Sequence, residues 1–269
     1  MGITFGVPAE QEDFAKRNSR FFEILPKFEE RLNQVLVRQF ETGDTAQKVV
    51  FFLGRLIAED FHEILLIAAN GYGMAGLRLF RSMFEANVTA MYLTQHPAEA
   101  ETFLDYHYVH RRKGLQIAKS LGVDLSDRVP REQQVEVEAK YQEIKSHYRQ
   151  VCPKCGESRG EPSWTKKDLT TMSREVGMKE SPFYFSFFTT LQIHTTPTRL
   201  MSRVERTREG LLFKEGPQRQ EADAAVVGAH GCMAQLLECH NRYFGLGIRD
   251  FEPELVRDLK YAWEHLPEM

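Results

Sequence analysis

Between Gly71 and Pro97 the chain reads GYGMAGLRLFRSMFEANVTAMYLTQHP, apolar enough for a buried helix yet carrying Arg78, Arg81 and Glu85. At about 100° per residue, Arg81 and Glu85 fall within roughly 60° of Arg78, so the three form one stripe along one edge. Phe80, Met83, Phe84, Val88, Met91 and Leu93 fill most of the remaining circumference, which predicts a helix central in its bundle. Guanidinium and carboxylate groups taken out of water need pairing and further hydrogen bonds. Two readings follow. Arg81 and Glu85, four residues apart, form a structural ion pair, or Arg78 and Arg81 build a site for an anion or polar ligand.

The preceding segment, VVFFLGRLIAEDFHEILLIAA, places Arg55, Glu59, His62 and Glu63 on one face of a second apolar helix. A short connection makes the two helices antiparallel neighbours, so the two stripes are expected to face each other. Glu59-x-x-His62 is half of a di-iron carboxylate pattern, and no second Glu-x-x-His is present. Arg55 and His62 also fit the arginine-histidine spacing of helical HEPN-type ribonucleases, although Leu56 stands where a polar residue is usual. In such an enzyme the arginine would stabilise developing phosphate charge and the histidine would move the proton.

Cys152-Pro-Lys-Cys155-Gly has the form of one zinc knuckle, offering two thiolates to one metal. A closed site needs four ligands, and no second pair exists; His147, Cys232, Cys239 and His240 are the residues able to complete it. No cofactor is predicted, and zinc is the one metal this pair could take. Trp164, at the end of the same loop, reads as a lid or anchor. His194 and His230 sit beside apolar or small residues, as satisfied core histidines do.

These residues belong to a chain dominated by helical periodicity. Helices are expected from Ala9 to Phe40 with a break near Pro26, from about Thr45 to Ala69 with Asp44 or Thr45 as cap, and from Gly73 to Pro97. More follow from Pro97 to Leu121 with Gly122 as stop, from Arg131 to Gln150, from Lys166 to Val176, from Gln218 to Phe244 and from Pro253 to His265. Val151 to Trp164 reads as loop. FYFSFFTTLQI, residues 183–193, suits either strand or helix, and Gly210 to Pro217 suits a short extended segment or a hairpin. With 35 basic and 38 acidic residues and a net charge of −3, the composition asks for neither nucleic acid nor an acidic membrane as partner. Ionisable residues interrupt the most apolar window, Val49 to Ala69. Nor does the start of the sequence have a signal-peptide pattern. A cytoplasmic protein is expected. Small residues between Ala222 and Gly231 offer a homodimer contact.

Arg81-Ser82-Met83-Phe84-Glu85-Ala86, then Trp164 before Thr165-Lys166-Lys167, then an aromatic segment leading to His194, resembles a bacterial all-helical family of unknown function. Its signature runs R-S-x-F-E-A, then W-x-x-K/S, then S-x-x-x-H. The resemblance covers roughly residues 45–245. It implies a helical fold and marks Arg81, Glu85, Trp164 and His194, with Thr189 or Thr190 in the neighbourhood of the usual serine. It implies no reaction, and the CPKCG insert lies outside it.

The expectation is an all-α protein, 1–269 as one helical bundle with its core at 45–245, N-terminal helices at 9–40 and a C-terminal helix at 253–265. A long loop and short peripheral helix lie near 151–177. A polar cleft of Arg78, Arg81, Glu85, Trp164 and His194 binds an anionic or polar small molecule, or a partner segment. The alternatives are a phosphodiester-cleaving enzyme using Arg55, Glu59 and His62, or His194 with Arg81, and an interaction protein stapled by zinc at Cys152 and Cys155.

Overall fold

The computed structural model describes residues 6–38, 43–151, 155–156, 158–160, 163–178, 190–191, 196–208, 210–249 and 251–264. The chain divides into two compact units, Met1–Gln95 with Leu169–Met269, and His96–Asp168. Among the described residues, both are built from helices plus one short antiparallel hairpin each. The fold is all-α, as the periodicity predicts.

In the first unit, α1 (Pro8–Arg17) and α2 (Ser19–Leu36) are separate helices. The break falls at Asn18, and Pro26 lies inside α2. Asn18 is fully buried, and its amide donates to the Phe14 carbonyl at 3.1 Å and to Asp223 at 2.9 Å. A side chain that bonds its own backbone in this way competes with helix continuation. α3 (Thr45–Ala69) starts at a capping box, in which Asp44 accepts from the Gln47 backbone and the Gln47 side chain accepts from the Asp44 backbone.

α4 (Gly73–Gln95), α3 and α9 (Arg219–Tyr243) pack against one another as the centre of this unit. Ile57, Phe61 and Ile64 of α3 meet Phe80, Phe84, Val88 and Leu93 of α4 and Val226, Met233 and Leu237 of α9, all fully buried or nearly so. α10 (Phe251–Trp263) is fastened to α2 by the buried guanidinium of Arg31, which pairs with Asp258 at 3.1 Å and with Glu254. α7 (Leu169–Glu175) lies against α4. α8 (Pro197–Met201) leads into the hairpin of β3 (Val204–Thr207) and β4 (Gly210–Phe213), in register Glu205 to Leu212.

Two glycines let α4 and α9 begin side by side. Gly71 takes φ 78°, and its carbonyl accepts from the Gln218 backbone at 2.8 Å. Gly73 lies so close to the start of α9 that a Cβ there would stand 2.3 Å from the Gln218 carbonyl oxygen and 2.4 Å from the Ala222 nitrogen. The Gln218 side chain in turn accepts from the Met74 backbone at 2.9 Å, satisfying a donor in the first turn of α4.

The second unit contains a 3-10 turn (Pro97–Glu99), α5 (Ala100–Ser120), α6 (Arg131–Ile144) and the hairpin of β1 (Arg149–Val151) with β2 (Ser158–Gly160). α6 therefore stops six residues before the expected Gln150. Tyr148, buried beside Tyr106 and Ile144, donates its hydroxyl to the Thr102 carbonyl at 2.7 Å and draws the chain back to α5. Of the described helices, none is long and apolar enough to cross a membrane.

Two buried histidines fix how this core responds to acid. Trp263 donates its indole N–H to Nδ1 of His230 at 3.0 Å, so a neutral His230 carries its proton on Nε2. Burial pushes its pKa down to about 4. His240 occupies the space left by Gly54, and burial together with nearby Arg38 lowers it to about 3.

An ordinary histidine titrates near 6.5. Between that value and the depressed ones the unfolded chain binds more protons than the folded one. Stability is then full above about pH 6.5 and falls progressively towards pH 4. Denaturant unfolding from pH 7 to 4 should show this loss, and His230→Gln should flatten the slope. Gly73→Ala should destabilise by about 1–3 kcal/mol through overpacking. Gly114→Ala, with nothing within 4 Å of its added Cβ, should leave the melting temperature unchanged or raise it.

Candidate functional site

The arginines of α4 go to different surroundings. Arg81 pairs with Glu85 at 2.5 Å, with side-chain exposures of 17% and 51%. Its Nε–H also donates to the Thr190 hydroxyl at 3.4 Å, and one terminal nitrogen, NH1, is buried without a partner. The structural ion pair of the sequence reading is therefore present. It has one foot in solvent, because Glu85 sits where the apolar circumference of α4 gives way to water.

Arg78 takes no part in that pair. It lines a hollow of about 430 Å³ with Arg199 and Arg203 of the α8 region, together with Tyr72, Met74, Ala75, Thr196, Leu200, Phe213 and Gln218. All three arginines are half-buried. No acidic side chain is among these lining residues. The Nε of Arg78 is buried and has no hydrogen-bond partner among the described residues. Burial, and next to it the repulsion of Arg199, hold its pKa below the usual guanidinium value.

Local structure aims the other two arginines. Thr196 caps α8 by accepting from the Arg199 backbone at 3.1 Å, and its hydroxyl donates to the Leu191 carbonyl at 2.6 Å. Arg203, one turn beyond Arg199, lies over the Phe213 ring at 5.4 Å. The Lys214 backbone donates to the Arg203 carbonyl at 2.7 Å and closes the base of the hairpin there. Cation–π contact orients a guanidinium without neutralising it.

Trp164 belongs to the second unit, where it meets Phe103 edge-on at 5.3 Å and packs with the Tyr106 cluster. His194 and Cys152 lie outside the described residues. Cys155 is an exposed free thiol. Cys232 is buried with its thiol pushed up to about 12 by desolvation, the reverse of what a zinc thiolate requires. Among the described residues no cluster of three or more His, Cys, Asp or Glu side chains could hold a metal.

The stripe of α3 does not face that of α4. Arg55, Glu59, His62 and Glu63 all lie on the exposed face, beside Phe52, Leu56 and Leu66 at 58%, 54% and 66% exposure. The wheel correctly grouped these residues, but the apolar side of α3 packs inward and turns the stripe to water. Arg55 donates to the Leu36 carbonyl at 3.2 Å. His62 lies 2.7 Å from the Ala58 carbonyl through Nδ1 and 3.0 Å from Glu29 through Nε2. Both ring nitrogens thus face acceptors within the chain.

A second hollow, of about 550 Å³, runs beside Phe84, Gly228, Gly231, Leu259 and Trp263. Most of its described walls are apolar, and its two charged residues, Lys260 and Glu264, bring opposite charges.

Arg199 and Arg203 were missed by sequence reasoning because they lie more than a hundred residues after Arg78. The available signal was the spacing of the two in TRLMSR, one helical turn apart.

The chain belongs to a family of unknown function, DUF5677, whose model matches residues 47–211. Arg78, Arg81, Glu85, Trp164, Arg199 and Arg203 all fall within the match. No curated protein and no solved structure matches the chain.

The two α4 arginines should separate experimentally. A double-mutant cycle on Arg81 and Glu85 should return a coupling of about 0.3–1 kcal/mol, as for partly exposed pairs four residues apart on a helix. Glu85→Ala should leave the Arg78 hollow unaltered, read as unchanged stabilisation of the folded protein by phosphate.

Proposed function

We propose that this DUF5677 protein is a binding module for a small anion, held in the hollow of Arg78, Arg199 and Arg203. The observation that carries the reading is charge without a counter-charge. Three arginines line one half-buried space, no carboxylate is among the described residues that line it, and one Arg78 nitrogen is buried with no hydrogen-bond partner among the described residues. Leaving such a donor unsatisfied costs free energy, and like charges held together cost more. An oxyanion would remove both costs, accepting from the planar forks of the arginines in charge-assisted hydrogen bonds.

Beside these groups the described walls carry no carboxylate, histidine, lysine or cysteine, and the Thr196 hydroxyl is engaged with the Leu191 carbonyl. Tyr72 is the one other ionisable side chain, and it is 56% exposed. The reading is accordingly one of recognition. Cytoplasmic location, and a homodimer through the small residues of α9, remain proposals of the sequence alone. The nuclease alternative on Arg55 and His62 draws no support from a histidine engaged at both nitrogens.

Phosphate should raise the melting temperature of the full chain in a saturable way, while sodium chloride at matched ionic strength should not. Charge-assisted hydrogen bonds to a guanidinium contribute about 1.5–3 kcal/mol. Arg78→Gln should therefore weaken phosphate binding by roughly 10- to 100-fold. Arg199→Gln, on a more peripheral helix, gives a second variant whose folding is safer. Wild-type affinity in both folded variants would refute the reading.

A further inference from the structure

Resting on the anion-binding reading, we infer that the ligand is a small phosphate monoester carrying a flat apolar body, the size of an aryl phosphate or a nucleoside monophosphate. The first argument is the number of charges and acceptors. Arg78, Arg199 and Arg203 each present a rigid planar fork of N–H donors. A carboxylate brings two oxygens and one negative charge, enough for one fork. A phosphate monoester brings three terminal oxygens and about 1.5 to 2 negative charges near neutral pH. It can meet three guanidinium groups at once and come closest to balancing them.

The second argument is space. A hollow of about 430 Å³ lies within the range of about 300–1,000 Å³ typical of organic-ligand pockets. A bare oxyanion would leave most of it to water. Beyond the arginines, the walls include Met74, Ala75 and Leu200, with two large rings, Tyr72 and Phe213, at 56% and 53% exposure. Phe213 has Arg203 over its face, so cation and ring are presented together at one wall. A planar group attached to the phosphate would cover ring surface now in water, and offset stacking would favour it further.

The test is titration calorimetry on the full chain with phenyl phosphate, adenosine 5′-monophosphate, inorganic phosphate, phenyl sulfate and benzoate. Phenyl phosphate and the nucleotide should bind at least about tenfold more tightly than inorganic phosphate. Phenyl phosphate should exceed phenyl sulfate and benzoate by a similar factor, since these share its ring but carry a single charge. Tyr72→Ala should reduce the advantage of phenyl phosphate over inorganic phosphate to within about threefold.

Equal affinity for phenyl phosphate and inorganic phosphate, with both lost in Arg78→Gln, would overturn this inference while the anion site stood. Preference for benzoate or phenyl sulfate would overturn it equally. A 5′-phosphorylated oligonucleotide binding tenfold more tightly than the mononucleotide would replace the small-molecule ligand by a nucleic-acid end. No Arg78-dependent binding of any anion would remove the underlying site itself.

Discussion

A guanidinium group withdrawn from water must find acceptors, and it tolerates other cations beside it only when an anion balances them. This constraint organises the functional part of the molecule. Elsewhere it is met within the chain. Arg31, almost fully buried, is held by Asp258 and Glu254. Arg17 reaches Asp223 at 3.0 Å, and Arg81 reaches Glu85. Among the described residues that line the hollow of Arg78, Arg199 and Arg203 there is no carboxylate. That sets these three apart from Arg17, Arg31 and Arg81, while Arg38, also half-buried, lies over the Phe51 and Phe244 rings.

The hollow depends on the way α4 begins. Gly71 and Gly73 allow the first turn of α4 to lie against the first turn of α9, with Gln218 bonding both the Gly71 carbonyl and the Met74 N–H. Arg78 stands little more than one turn further along α4. α8 and the β3–β4 hairpin then bring Arg199, Arg203 and Phe213 to the same space. Small side chains at the helix contact and large, charged ones at its mouth thus have a common purpose. The first set brings the backbones together, and the second uses the opening that remains.

Much of the fold was legible in the sequence. The Asp44 cap, Pro97 and Gly122 at φ 66° each have a local cause that short spacing reveals, whereas Gly210–Phe213 pairs with Val204–Thr207, upstream of the segment expected to turn. Asn18 was not legible as a break, because its partner Asp223 is over two hundred residues away. For the site, periodicity correctly placed Arg81 and Glu85 together. It could not say that α3 turns Arg55, Glu59 and His62 outward, since a helical wheel gives the grouping of residues and not the direction in which the group faces. Nor could it bring Arg199 and Arg203 to Arg78, a pairing made by tertiary packing alone. Thr190, which accepts from Arg81, stands four residues before His194, and this is the spacing of the S-x-x-x-H element in the resemblance. Family membership over residues 47–211 brings no reaction with it.

The most direct measurement is a crystal structure of the chain grown or soaked with tungstate, a heavy oxyanion of phosphate-like charge, with anomalous data at the tungsten edge. An anomalous peak among the guanidinium groups of Arg78, Arg199 and Arg203, with the Arg78 Nε within hydrogen-bond distance of an oxyanion oxygen, is the predicted result. An empty hollow at saturating tungstate, with those arginines swung into solvent or paired to carboxylates of their own chain, would contradict the account.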